Sequence, residues 1–163
     1  MAGVIIMDTD MTSDVLIYNT LITSDDPFIK GCNIKFIDES VPAMEDDTIY
    51  IANVSLESLN EFYESTQYRA TVNIYVKTKD TDYIEASRFL RSVVKRIKQE
   101  LKRNEECKAR RITFRQTSFE YGSKYTLKGL HLLAQMVEYE RYPDEKEPDR
   151  VCEVKVDGDI IIE

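Results

Sequence analysis

Between Tyr68 and Tyr139 the spacing of apolar residues switches from every second position to helical spacing and back, and this ordering limits the fold more than any other feature of the chain. Tyr68, Ala70, Val72, Ile74 and Val76 alternate with Arg69, Thr71, Asn73, Tyr75 and Lys77, the period of a strand with one face on a core. Asp82, with Glu85 three residues on, reads as a capping box, after which Ala86, Leu90, Val93, Val94, Ile97 and Leu101 recur at helical spacing. That stripe is predicted to be buried. Arg88, Arg91, Lys95, Lys98 and Lys102 fall off it onto a solvent or partner face, and Lys102 and Arg103 complement the C-terminal end of a helix expected to stop near Asn104. Residues 112–121 and 125–142 read as two long strands joined through Gly122-Ser123-Lys124, a three-residue hairpin link with a glycine in it. The order describes an α+β domain, a mostly antiparallel sheet covered on one side by one long helix.

The flanking segments add to this frame. Val4-Ile5-Ile6-Met7 is a short apolar run, and Thr12 or Ser13 caps a short N-terminal helix through Val15, Leu16, Ile17, Leu21 and Ile22 that Asp25-Asp26-Pro27 is expected to end. Residues 28–37 and 48–54 read as strands with a loop at 41–47 between them, and residues 60–66 as a helical turn. After Pro143 a charged, proline-containing linker spans 143–150, and residues 151–163 resume β character around Asp157-Gly158. The expected organisation is therefore a single domain at 1–142, the linker, and a C-terminal strand-like extension of the kind that pairs with a sheet edge.

With 163 residues, 42% of them hydrophobic and 32% charged, the chain suits one folded domain that buries about two thirds of its unfolded surface. No apolar run approaches the roughly 20 residues of a membrane span, and the first residues lack the pattern of a secretory signal, so synthesis in a cytoplasm is expected. Cys32, Cys107 and Cys152 are odd in number and widely spaced, which favours reduced thiols over disulfides or a zinc site. The net charge of −8 is unevenly placed: residues 1–80 carry 14 acids against 5 bases, residues 81–118 carry 5 against 11, and residues 119–163 carry 11 against 6. Such banding has three readings: a solvated basic helix, a head-to-tail contact between like subunits in which the basic helix meets an acidic flank, or a patch for nucleic-acid phosphates. For the second reading the candidate contact residues are Arg88, Arg91, Lys95, Lys98 and Lys102, with Glu45, Asp46 and Asp47 as acidic partners.

Signals for catalysis are sparse. Asp8 and Asp10 close the apolar run as Asp-x-Asp, a spacing that suits a hard divalent cation and metal-dependent hydrolysis. The same run resembles the openings of haloacid-dehalogenase-type phosphatases and of nucleoside hydrolases. Both need a glycine-rich doubly wound domain, and this chain has 5 glycines and no repeated βαβ pattern. An EF-hand fails because Ser13 and Asn19 stand where its glycine and glutamate belong. His131 is the one histidine, placed by alternation beside Gly129 and Leu133 on a strand, and reads as a satisfied sheet residue rather than a general base. No enzyme, cofactor or metal is expected, with the hydrolase kept as the least favoured alternative.

The segment Ala70-Thr71-Val72-Asn73-Ile74-Tyr75-Val76-Lys77-Thr78-Lys79, the helix from Asp82 to Asn104, and Arg111-Ile112-Thr113-Phe114-Arg115 through Phe119-Glu120-Tyr121 resemble the tail terminator, or tail completion, proteins of tailed bacteriophages. The likeness covers the order of elements over residues 12–142. It implies a small α+β subunit that forms a ring, usually a hexamer, capping the tail tube and joining it to the head. The partners so implied are other copies of the chain, the tail tube protein and the head connector or neck proteins, with DNA passing through the lumen and no membrane. The location implied is the virion, after synthesis in a bacterial host. A structural protein of this kind needs no catalytic residue. The alternative is a protein-interaction or nucleic-acid-binding module.

Overall fold

The computed structural model describes residues 11–37 and 47–141. Four helices and five strands follow one another as α1 (Ser13–Ile22), α2 (Pro27–Lys30), β1 (Asn33–Phe36), β2 (Thr48–Glu61), β3 (Ser65–Lys77), α3 (Tyr83–Arg103), α4 (Glu105–Ala109), β4 (Thr113–Tyr121) and β5 (Leu127–Arg141), with a short 3-10 turn at Ser123–Tyr125 before the last strand. The strands form one sheet in the order β1-β2-β3-β5-β4, antiparallel throughout except that β1 runs parallel to β2. The α+β class and the mostly antiparallel sheet against one long helix and a short N-terminal helix are what the apolar spacing requires. The linker at 143–150 and the extension at 151–163 lie outside the described residues.

The helix layer covers one face of the sheet. Register places Val72, Ile74 and Val76 of β3 beside Ala134, Leu132 and Leu130 of β5, and Ile51 and Ile49 of β2 on the other side. These side chains meet the predicted α3 stripe, Ala86, Leu90, Val93, Val94, Ile97 and Leu101, together with Leu16, Ile17 and Leu21 of α1 and Ile29 of α2. Asp82 caps α3 as expected, its Oδ2 accepting from the Glu85 amide at 3.1 Å. The reciprocal half of the capping box is not made; the Glu85 carboxylate turns to Arg88 at 3.4 Å.

Four local expectations are corrected. Asp26 starts a helix rather than ending one: its Oδ1 accepts from the amides of Phe28 and Ile29 at 3.0 and 3.4 Å, and Pro27 takes the first helical position, where its missing N–H costs nothing. The strand expected over 28–37 is thereby reduced to β1. The helical turn expected over 60–66 is instead the end of β2 and its hairpin into β3, closed by the Phe62 amide donating to the Ser65 carbonyl at 2.7 Å. The end of α3 expected near Asn104 is found there, and Asn104 also begins α4, its side chain accepting from the Cys107 amide at 3.0 Å. In the β4–β5 link Gly122 is extended at φ −90°, and the left-handed residue is Lys124 at φ 59°.

Among the described residues, no helix lies on the opposite sheet face. Tyr50, Thr71, Tyr75 and Lys77 of β2 and β3 share it with His131, Leu133 and Gln135 of β5 and with Thr113 and Arg115 of β4. Gly129 is required here: a Cβ at this position would lie 2.9 Å from the Val76 carbonyl oxygen and 3.2 Å from the Tyr75 ring.

Candidate interaction surface

Basic side chains on α3 divide into two sets. Arg88, Arg96 and Arg103 are held within the subunit, against Glu85 at 3.4 Å, Asp26 at 3.2 Å and Glu100 at 3.7 Å. Arg91, Lys95, Lys98 and Lys102 have no carboxylate partner among the described residues. Their placement explains why. They lie on the flank of α3 that faces β4 and β5, where among the described residues no carboxylate comes within 4.0 Å of them, while Arg96 lies on the flank facing α2.

On that flank a cleft of about 250 Å3 opens, lined by Arg91, Val94, Lys95, Lys98, Phe119, Leu130, His131 and Leu132. A bulge in β4 helps to form it. Gln116 pairs with Leu132 and Phe119 with Leu130, so β4 spends one residue more than β5 over this interval and bends there. The floor is apolar, from Val94, Leu130, Leu132 and Phe119, and the rim is cationic. The Arg91 guanidinium sits 5.1 Å from the Phe119 ring centroid and Lys102 Nζ 5.8 Å from that of Phe114, so both charged groups lie over aromatic faces while their side chains stay exposed. An apolar floor under three bases accepts an apolar group that carries negative charge beside it.

Thus the structure brings Arg91, Lys95 and Lys98 together at one cleft, sets Lys102 beside it, and leaves Arg88 apart. Arg88 borders a different hollow, near Asp47, Thr78 and Asp80. Of the acidic partners named from the sequence, Glu45 and Asp46 lie outside the described residues. Asp47 is engaged within the subunit: its Oδ1 accepts from the Thr78 hydroxyl at 3.0 Å and the Lys79 amide at 2.9 Å, tying the entry of β2 to the exit of β3.

Two features of the opposite sheet face escaped the sequence reading. The first is a hollow of about 540 Å3 whose lining includes Asn60, Gln67, Arg69, Arg111, Thr113, Arg115 and Gln135. Arg69 pairs with Glu57 at 3.7 Å, whereas Arg111 and Arg115 have no carboxylate partner among the described residues. Register across β3, β5 and β4 brings Arg69 and Arg115 to one face, the turn before β4 adds Arg111, and no spacing in the chain announces the trio. The second feature is the surroundings of His131, whose ring stands edge-on to Tyr75 with centroids 3.8 Å apart. The packing is that of a sheet residue, but the ring is not satisfied: its Nε2 is buried without a hydrogen-bond partner, 3.7 Å from Glu120, and Tyr75 OH and Asn73 Oδ1 share that condition. Lys77 Nζ lies 4.7 Å over the Tyr75 ring, and burial holds its pKa below the ordinary lysine value.

Asp8 and Asp10 lie outside the described residues, and among the described residues no three His, Cys, Asp or Glu side chains gather into a metal-holding group. No helix among the described residues is long and apolar enough to cross a membrane. The sequence matches no protein-family model and no curated protein.

Proposed function

We propose that this chain is a structural assembly protein whose copies associate head to tail into a ring, in the manner of the phage tail terminators that its order of elements resembles. The observation that carries the reading is the cleft of Arg91, Lys95 and Lys98, three cations without a carboxylate partner among the described residues, on a chain of net charge −8. A subunit that gathers bases around one cleft while its net charge is acidic attracts its own copies in a fixed orientation, and such heterologous contacts close into rings when the rotation permits. An acidic net charge also suits a ring around DNA, because binding strength follows the number of phosphates neutralised and an acidic wall neutralises few. In this reading the ring caps a tail tube and meets head connector proteins in a virion.

A nucleic-acid-binding module is the second reading, favoured by the arginine trio on the helix-free sheet face. The mass of the purified protein by light scattering, followed by negative-stain imaging, separates the two. Annular particles of about six subunits support the ring. A monomer at every concentration that binds DNA with an affinity falling steeply as salt rises overturns it and supports the module.

A further inference from the structure

The cleft beside α3 has a counterpart on the same chain. From the first of the two bulges in β2, at Asn53/Ser55 and Ser58/Asn60, every side chain from Ser55 to Glu64 is exposed apart from the half-buried Leu59. The β2–β3 hairpin ends there in Glu61-Phe62-Tyr63-Glu64, with Phe62 54% and Tyr63 97% exposed. Two aromatic side chains at a sheet apex, each beside a carboxylate, bury little of their surface within the subunit and match the chemistry the cleft accepts.

We infer that the hairpin tip of one subunit docks into the α3–β4–β5 cleft of the next, Phe62 and Tyr63 over Phe119, Leu130 and Leu132, with Glu61 and Glu64 against Arg91, Lys95 and Lys98. The inference rests on the ring reading and names its contact. The cleft's volume of about 250 Å3 takes an aromatic side chain, and the rim supplies the opposite charge to the acids beside it. The contact lies between copies because one chain cannot make it. Thr66 at the tip pairs with Glu140, and Ile74 at the cleft's level pairs with Leu132, so tip and cleft are eight residues apart along a continuous strand, roughly 27 Å at strand rise. A rigid sheet does not fold back over that distance. Tip and cleft are different surfaces, so each subunit gives one and receives one, the heterologous arrangement that rings need.

The test uses the full chain and two variants, Phe62→Ser/Tyr63→Ser at the tip and Lys95→Glu/Lys98→Glu at the cleft, with far-UV circular dichroism to establish that both remain folded. By sedimentation velocity each variant alone needs at least about tenfold more protein than the wild type to assemble, since buried aromatic anchors and desolvated charges dominate such contacts. Mixed in equal amounts, the two variants form a dimer and nothing larger, because one intact tip and one intact cleft remain between them. Adding Glu61→Lys/Glu64→Lys to the cleft variant restores assembly. A wild type that assembles alongside a tip variant that assembles equally well overturns this contact and leaves the ring standing. A mixture that stays monomeric likewise overturns the contact, and a wild type that never assembles overturns the ring reading itself.

Discussion

Nη1 of Arg96 stands 3.2 Å from Oδ2 of Asp26, while Oδ1 of the same carboxylate caps α2. One side chain thus anchors a four-residue helix at its start and ties it to the long helix, and Arg96 also lies 5.4 Å over the Phe28 ring. The Asp26 side chain is only 8% exposed, so the pair is screened less than the surface pairs elsewhere on α3. Asp26→Ala loses cap and ion pair together and is expected to cost about 2 kcal/mol, a fall of several degrees in Tm. Asp26→Ser keeps the cap and Arg96→Gln keeps it too, so each should cost less. An Asp26→Ala variant as stable as the wild type would refute this assignment.

Arg91 and Lys95 share a helix with Arg96 but differ from it in having no carboxylate partner among the described residues. Arg91→Glu with Lys95→Glu is expected to leave unfolding within about 1 kcal/mol of the wild type, the scale of the exposed Arg91–Phe119 contact that is lost. The same double variant should weaken self-association, and raising the salt should weaken it in the wild type as well. Thermal melts and sedimentation on one set of samples check both halves. Unchanged oligomers in the double variant would remove this helix from the interface.

Much of this arrangement was legible in the chain. The α3 stripe and the Asp82 cap fixed the long helix, and the same stripe, by leaving Arg91, Lys95 and Lys98 outside it, pointed to the basic face. The failures share a cause: signals with two meanings that only tertiary packing decides. Asp-Pro ends one helix and begins another, and here Ile29 is buried in the core, which favours beginning. Two bulges in β2 break its alternation, so a 14-residue strand reads as a short one followed by a turn, and the exposed tip at Phe62-Tyr63 was hidden with it. The cleft depends on another bulge, at Gln116/Phe119, and the arginine hollow on register between strands distant in sequence. The local amide and hydroxyl donors that engage the Asp47 carboxylate within the subunit are likewise something a sequence does not display.

Gly129 is the position where the sheet tolerates no side chain. Gly129→Ala drives a Cβ against the Val76 carbonyl and the Tyr75 ring, and neither is the free end of a flexible chain. Strand separation or a displaced Tyr75 must follow, at about 1–3 kcal/mol, and the Tyr75–His131 contact should be disturbed with it. Gly122→Ala is the control. Its Cβ would meet only Lys128, nearest at Cε, and φ there suits any residue, so it should be near neutral. Urea unfolding of the two variants reads the difference, and equal midpoints would contradict it.

The buried thiols weaken the fold as the pH turns alkaline. Burial pushes Cys32 up to about 12, with the nearby Asp47 charge adding to it, and Cys107 up to about 11, where burial outweighs the opposing pull of Arg110. Both exceed the ordinary value of 9.0, so the folded state holds its thiol protons where the unfolded chain releases them. The sign follows from linkage: the stability from keeping these thiols neutral is fully present below pH 9 and is lost as the pH rises towards 11 and 12. In a Cys152→Ser background, a thiol reagent at about pH 8 should label the native protein slowly and the urea-unfolded protein fast at two sites, since the thiolate is the reactive species. Urea midpoints should fall as the pH is raised from about 9 to 11, and fall less when Cys32 and Cys107 are both replaced by alanine, because other groups that titrate in this range remain. Fast native labelling at both thiols, or an identical pH slope in the alanine variant, would show that these cysteines do not carry the effect.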